Sequence, residues 1–303
     1  MFFHDKRLQY HAKPDRPDPI FARRLQEVLG GQWGEISVMM TYLFQGWNAR
    51  GPVKYKDMLL DIGTEEMAHV EMLSTMIARL LEGAPLSTQE DLVASNPAVG
   101  AVMGGMHPQH AIVSGLGAQA ADSAGVPWNG RYAVASGNLL ADFRYNVTAE
   151  SQGRLQVCRL YEMTEDAGVR DMLAFLIARD TMHQNQWLAA IAELEADGLE
   201  TTPVPSAFPQ EREKAEVAYQ FMDASTGDES QTGRWASGAS MDGRGQFQWV
   251  KAQPFGEVPL DLPADPRVFG TPKSPIQAQL GGSGLVAKAA QAVEGIVRGD
   301  GES

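Results

Sequence analysis

A single cysteine, Cys158, stands in a chain of 303 residues. That excludes an intrachain disulfide framework and any cysteine-held zinc or iron-sulfur site within one chain. Histidine is also sparse: His4, His11, His69, His107, His110 and His183 are the whole complement, so any metal must be held by oxygen and nitrogen ligands that can be weighed one by one. Positive charge is short as well, 25 Lys plus Arg against 38 Asp plus Glu, a net charge of −13. This disfavours nucleic acid and anionic membrane surfaces as partners. No segment approaches ~18 uninterrupted apolar residues, and no apolar stretch of signal-peptide length follows Met1-Phe2-Phe3-His4. The expectation is a soluble, cytoplasmic protein. With 44% hydrophobic and 21% charged residues, the chain can bury a core, as one large domain or two smaller ones.

Apolar residues recur at helical spacing through four stretches. Pro19 to Trp47 carries Leu25, Val28, Leu29, Val38, Met39 and Tyr42 on one side, with a weak turn signal at Gly30-Gly31. Lys54 to Leu81 follows after a short loop, with a stripe of Leu59, Ile62, Val70, Leu73, Met76 and Leu80. A third helix is expected over Ser136 to Met163, and a fourth after Thr164-Glu165-Asp166, which suits an N-cap, running to Ala196. Between the two pairs lies a long Gly-, Ala-, Pro- and Ser-rich connection, residues 83 to 135, with room for one short helix. Helix pair, long crossover, helix pair is the ferritin-like order. The expected fold is thus an all-α core, a ferritin-like four-helix bundle over residues 1–198. An extended, mostly irregular C-terminal arm over 199–303 should pack on the bundle and on neighbouring subunits. Within that arm Phe247-Gln248-Trp249-Val250 suits a short strand, and Leu285 to Val297 a small amphipathic helix.

Each of the four helices carries polar residues where its core stripe should be apolar. Glu35 lies among Val28, Val38, Met39 and Tyr42; Glu66 and His69 lie between Ile62 and Leu73; Glu150 lies between Val147 and Val157; Asp180 and His183 lie between Leu176 and Trp187. Buried carboxylates in that number require a cation, a proton or a salt-bridge partner, and the core stripes hold few cations. A Glu from each of two helices with Glu-x-x-His from the other two is how bundles of this kind hold two metal ions. The spacing repeats, 31 residues from Glu35 to Glu66 and 30 from Glu150 to Asp180, as two pseudo-symmetric half-sites. Asp180 is one methylene shorter than a glutamate and is poorly suited to bridge two ions. The expected set therefore has five protein ligands: Glu35 and His69 with bridging Glu66, and Glu150 with His183. Asp180 stands outside it, accepting a hydrogen bond or holding a proton. Tyr42, two turns from Glu35, is a candidate donor to a carboxylate. Such ligands suit manganese and iron alike. His107-Pro108-Gln109-His110 has two-histidine spacing, but Pro108 argues for a loop rather than a zinc-binding helix. Cys158 reads as a buried small hydrophobe.

At these residues the chain resembles the non-haem manganese catalases over roughly residues 1 to 230. The resemblance is strongest in Arg23-Arg24-Leu25-Gln26 through Gly31-Gln32-Trp33-Gly34-Glu35, in Gly63-Thr64-Glu65-Glu66-Met67-Ala68-His69-Val70-Glu71, in Ala135-Ser136-Gly137-Asn138-Leu139 and around His183. It implies the same five manganese ligands, Glu35, Glu66, His69, Glu150 and His183. It also implies disproportionation of hydrogen peroxide through a Mn(II)2/Mn(III)2 cycle, for which Glu35, Glu66, Asp180 and Tyr42 are this chain's candidate catalytic groups. It further implies a calcium ion, because Asp57 and Asp61 share one helix face and Asp223-Ala224-Ser225-Thr226-Gly227 looks like the loop that completes such a site, with Asp223, Ser225 and Gly227 as oxygen donors. A homohexamer with entwined tails is implied as well. In some members an Arg precedes the second-half Glu and pairs with a Glu at the position of Asp180; Ala149 stands there in this chain, with Arg154 as a substitute. The alternatives are a ferritin-like di-iron ferroxidase or iron-storage protein, and a metal-free structural shell protein.

Overall fold

The structure is a computed structural model that describes residues 5–84, 107–198 and 208–258. It divides into two compact units, Met1–Lys214 and Ala215–Ser303. The first is helical. Helix α1 spans Pro19–Gly30, α2 Glu35–Asn48, α3 Val53–Leu80, the short α4 Pro108–Ile112, α5 Leu139–Glu162 and α6 Ala167–Ala196.

The expected first helix is in fact two. Gly31 is extended rather than helical and caps α1, and Gly34 is the N-cap of α2. Ser37 Oγ donates to the Gly31 carbonyl and holds the break closed. A side chain on Gly30 has no room, since its Cβ would lie 2.4 Å from the Ala121 carbonyl oxygen. The two halves still serve as one bundle helix. α1 packs into an apolar cluster with the second half of α3 (Met72, Leu73, Met76, Ile77, Leu80), Val157 of α5 and the first turns of α6. α2 packs into another, with Tyr55, Leu59 and Ile62 of α3, Phe143 of α5 and Trp187, Ala190 and Leu194 of α6. The polar residues of the core stripes fall between these two apolar layers, where Glu35 opens the first turn of α2.

Caps close the other helices as their sequences suggest. Asp166 accepts from the Val169 N–H at the start of α6, and Asn138 from the Ala141 N–H at the start of α5. Gly51, at φ +100°, turns the chain between α2 and α3. The described part of the crossover is fastened to α1 and α2: Gln26 Nε2 donates to the Gln119 and Ala121 carbonyls, Arg23 Nε to the Ser123 carbonyl and Trp128 Nε1 to Ser37 Oγ.

In the second unit a short helix α7, Ala215–Ala218, precedes a three-stranded sheet of β1 (Gln220–Asp223), β2 (Ser237–Ala239) and β3 (Gln246–Lys251), in the order β1-β3-β2. β1 runs parallel to β3 with Gln220 opposite Gln248, and β2 antiparallel to it with Ser237 opposite Gln248. The segment around Trp249 is therefore a strand, as expected, and the rest of the described residues of this unit is mostly irregular. The expected helix over Leu285 to Val297 lies outside the described residues.

Candidate metal centre

Glu35 of α2, Glu66 and His69 of α3, Glu150 of α5 and Asp180 and His183 of α6 are all buried, Glu66 to 1% exposure and both imidazoles completely. Helical geometry brings Glu66 and His69 together, three residues apart on one face, while α2, α5 and α6 carry the others in from 31 residues or more away along the chain. Two groups result, Glu35–Glu66–His69 and Glu66–Glu150–His183, each with one donor atom per residue and all three donors within 4.8 Å of one another. Glu66 belongs to both. Its Oε2 is 2.7 Å from His69 Nδ1 and its Oε1 is 2.7 Å from His183 Nδ1. On the outer sides, His69 Nδ1 is 3.6 Å from Glu35 Oε2 and His183 Nδ1 is 3.8 Å from Glu150 Oε1. The two rings stack at 5.7 Å with 25° between their planes.

One detail tests whether these residues suit a metal. Glu66 Oε1 and His183 Nδ1 are buried and 2.7 Å apart, yet neither has a hydrogen-bond partner. Three carboxylates and two imidazoles arranged this way fit a pair of divalent cations with oxygen and nitrogen preference.

Burial and mutual charge shift the proton affinities of these groups. Burial, and then the charge of Glu66, pushes the Glu35 carboxyl up to about 8. Burial, with Glu66 and Asp180 beside it, raises Glu150 well above the carboxylate range. Burial raises Asp180 likewise, with Glu35 and Glu66 adding to it. Glu66 is the exception: burial would raise it, but the two imidazoles hold it below its ordinary value. Burial works against protonated His183, yet Glu66, Glu65 and Glu150 push it up to about 10. Two cations on these ligands would replace their protons.

Tyr42 Oη donates to Glu150 Oε1 at 2.5 Å, and Trp187 Nε1 approaches the same oxygen at 3.5 Å. Asp180 enters neither three-residue group. Ala149 is buried beside Glu150, and Arg154, suggested as a substitute cation, donates instead to Thr181 Oγ1. Asp57 and Asp61 are exposed on α3. In the other unit Asp223 accepts from the Ser225 N–H and hydroxyl and from Trp249 Nε1, and Ser225 Oγ approaches the Gly227 carbonyl. None of these three acids belongs to a metal-suited group among the described residues.

Two expectations need correcting, and two residues of the site were not among those expected. His107-Pro108-Gln109-His110 is not a plain loop: His107 caps the single turn of α4, its Nδ1 accepting from the Gln109 N–H. Cys158 is only half-buried. Glu65 and Arg179 went unnoticed in the sequence, although Glu65 lies four residues before His69 on the same face. Arg179 grips both oxygens of Glu65, at 2.6 and 3.1 Å, and His183 Nε2 lies 3.0 Å from it. Burial would raise the Glu65 carboxyl, but His183, His69 and Arg179 hold it far below the usual range.

A family model described as manganese containing catalase matches residues 1–281. A manganese catalase of Bacillus subtilis (strain 168) is 61% identical over 272 residues, covering 89% of this chain and 98% of that protein. A manganese catalase of Lactiplantibacillus plantarum is 50% identical over 269 residues, covering 88% and 98%. Among solved structures, KatB, a manganese catalase from Anabaena PCC7120, superposes with a TM-score of 0.64 at 25% identity, covering 84% of this chain and all of that one.

Proposed function

Because the chain belongs to the manganese-containing catalase family, we infer that it is an enzyme that disproportionates two molecules of hydrogen peroxide to two of water and one of dioxygen. The observation that supports this most directly is the sharing of Glu66 between two buried three-residue groups, the arrangement a pair of adjacent ions requires.

In this reading Glu35 and His69 would hold one manganese ion and Glu150 and His183 the other, with Glu66 available to both groups. The manganese pair supplies a two-electron couple, Mn(II)2 and Mn(III)2, able to oxidise one peroxide and reduce the next without releasing a radical. The protein supplies the rest. The two apolar layers exclude bulk water from the cluster. Tyr42 and Trp187 hold the Glu150 carboxylate in one orientation. Asp180, buried beside the cluster, is placed to relay protons from the peroxide that is oxidised to dioxygen, which gives up two, to the peroxide that is reduced to two waters, which takes up two.

The test is to purify the protein from cells grown without metal supplementation, determine manganese against iron, and follow oxygen release from peroxide. About two manganese ions per chain with oxygen evolution is the expected result. Iron with ferroxidase activity and no oxygen would favour the storage reading, and metal-free, inert protein the structural one.

Three finer points are proposals on the same footing. One calcium ion per subunit is checked by calorimetric titration of calcium-stripped protein. A homohexamer is checked by light scattering. A cytoplasmic location is checked by fractionation; no helix among the described residues is long and apolar enough to cross a membrane.

A further inference from the structure

We propose that Glu65, locked by Arg179, is a positioning residue that turns both imidazoles of the metal centre so that their Nδ1 atoms face the ions. This rests on the reading that the cluster holds a metal pair.

Both rings direct Nδ1 inward, 2.7 Å from Glu66, so each directs Nε2 outward. On that outer side stands one carboxylate. Glu65 Oε2 is 3.0 Å from His183 Nε2, and Glu65 Oε1 is 3.7 Å from His69 Nε2. His69 Nε2 is buried and has no hydrogen-bond partner, and the Glu65 oxygen is the acceptor that faces it. Glu65 is itself held in place. Arg179 Nε and its terminal nitrogen donate to the two oxygens, at 2.6 and 3.1 Å, and Gln9 Nε2 adds a bond of 2.8 Å to Oε1. A bidentate guanidinium fixes the plane of a carboxylate as a lysine cannot.

A carboxylate behind a ligating imidazole keeps the N–H on the far nitrogen, presents the near lone pair to the metal and raises its basicity. In this protein one carboxylate serves a ligand of each half-site, His69 from α3 and His183 from α6. The stacked rings are therefore tied to a common anchor outside the cluster, as Glu66 ties them inside. Asp180, whose position in a symmetric site would carry the second bridging Glu, leaves that outer tie as the remaining symmetric link between the two imidazoles.

The test uses the full-length protein, stripped and titrated with manganese chloride, as parent, Glu65→Ala, Glu65→Gln and Arg179→Met. Glu65→Ala should bind manganese about 10- to 100-fold more weakly than the parent, with Glu65→Gln between the two, since one amide oxygen can serve one ring. In the zinc-loaded protein, a diamagnetic probe, nitrogen-15 spectra should show slowly exchanging Nε2–H protons on both histidines of the parent. In Glu65→Ala these should be lost to exchange. A merely structural role would lower the unfolding midpoint and leave both readouts alone. Should Glu65→Ala fail to fold, Arg179→Met carries the test, with weaker manganese binding and faster Nε2–H exchange expected. Affinity within twofold of the parent and unchanged Nε2–H signals in the folded variants would overturn the proposal. A parent that binds no manganese would instead overturn the reading on which it stands.

Discussion

Tyr42 and Trp187 converge on one oxygen of Glu150, and the tyrosine ring is itself fully buried against the indole, 5.0 Å between centroids. Tyr42→Phe keeps the packing and removes the donor. It should cost about 1–2 kcal/mol of stability in metal-free protein, by the usual value of a buried hydrogen bond to an ionisable group, measured by denaturant unfolding. His110 offers a pH signature away from the cluster. It is buried, and burial first, then neighbouring His107 and Arg23, lowers it from about 6.5 to about 4. The unfolded chain therefore binds a proton between those values that the folded chain refuses. Stability from this group is complete above about pH 6.5, falls as pH drops towards 4, and is flat below that. His110→Gln should flatten that part of the profile of unfolding midpoint against pH.

The break between α1 and α2 shows what periodicity cannot see. The apolar stripe runs through Gly30-Gly31 nearly in phase, because both halves face the same side of the bundle, so a pattern of spacings reads as one helix. The interruption is set by the crossover: Ala121 lies against Gly30, and its carbonyl accepts from Gln26. Gly30→Ala should destabilise by about 1–3 kcal/mol through overpacking against that backbone, read as a lower thermal midpoint. The start of α6, by contrast, was legible, since Thr164-Glu165-Asp166 carries its own cap chemistry. Asp166 also accepts from the Asp15 N–H, which joins the N-terminal segment to this helix. Asp166→Ala should cost about 1–2 kcal/mol, and added loss beyond that would measure the tie to Asp15.

For the molecule as a whole, the ions and the fold support each other. Ligands that bind only the folded state stabilise it by mass action, so chelator treatment should lower the unfolding midpoint, and millimolar manganese should restore it where magnesium does not. The order of helix pair, crossover and helix pair was readable from hydrophobic period alone, and so were the carboxylates and histidines, because charged residues inside an apolar stripe stand out without any structure. Those features are local: the position of Glu66 and His69 on one helix face follows from 3.6 residues per turn. The assembly of the two groups around Glu66, the hydrogen bond from Tyr42 to Glu150 and the role of Glu65 are not local. Glu65 looks in sequence like any partly exposed acid on a helix; only the packing of α3 against α6 brings Arg179 and His183 to it. The sheet of the second unit likewise depends on strands separated by more than twenty residues meeting in register. Sequence alone determined which residues could bind metal and on which helices they stand, because burial pattern and residue chemistry are written along the chain. Tertiary structure decided which donors face one another and what holds them, because those contacts join elements whose distance in sequence carries no record of their distance in space.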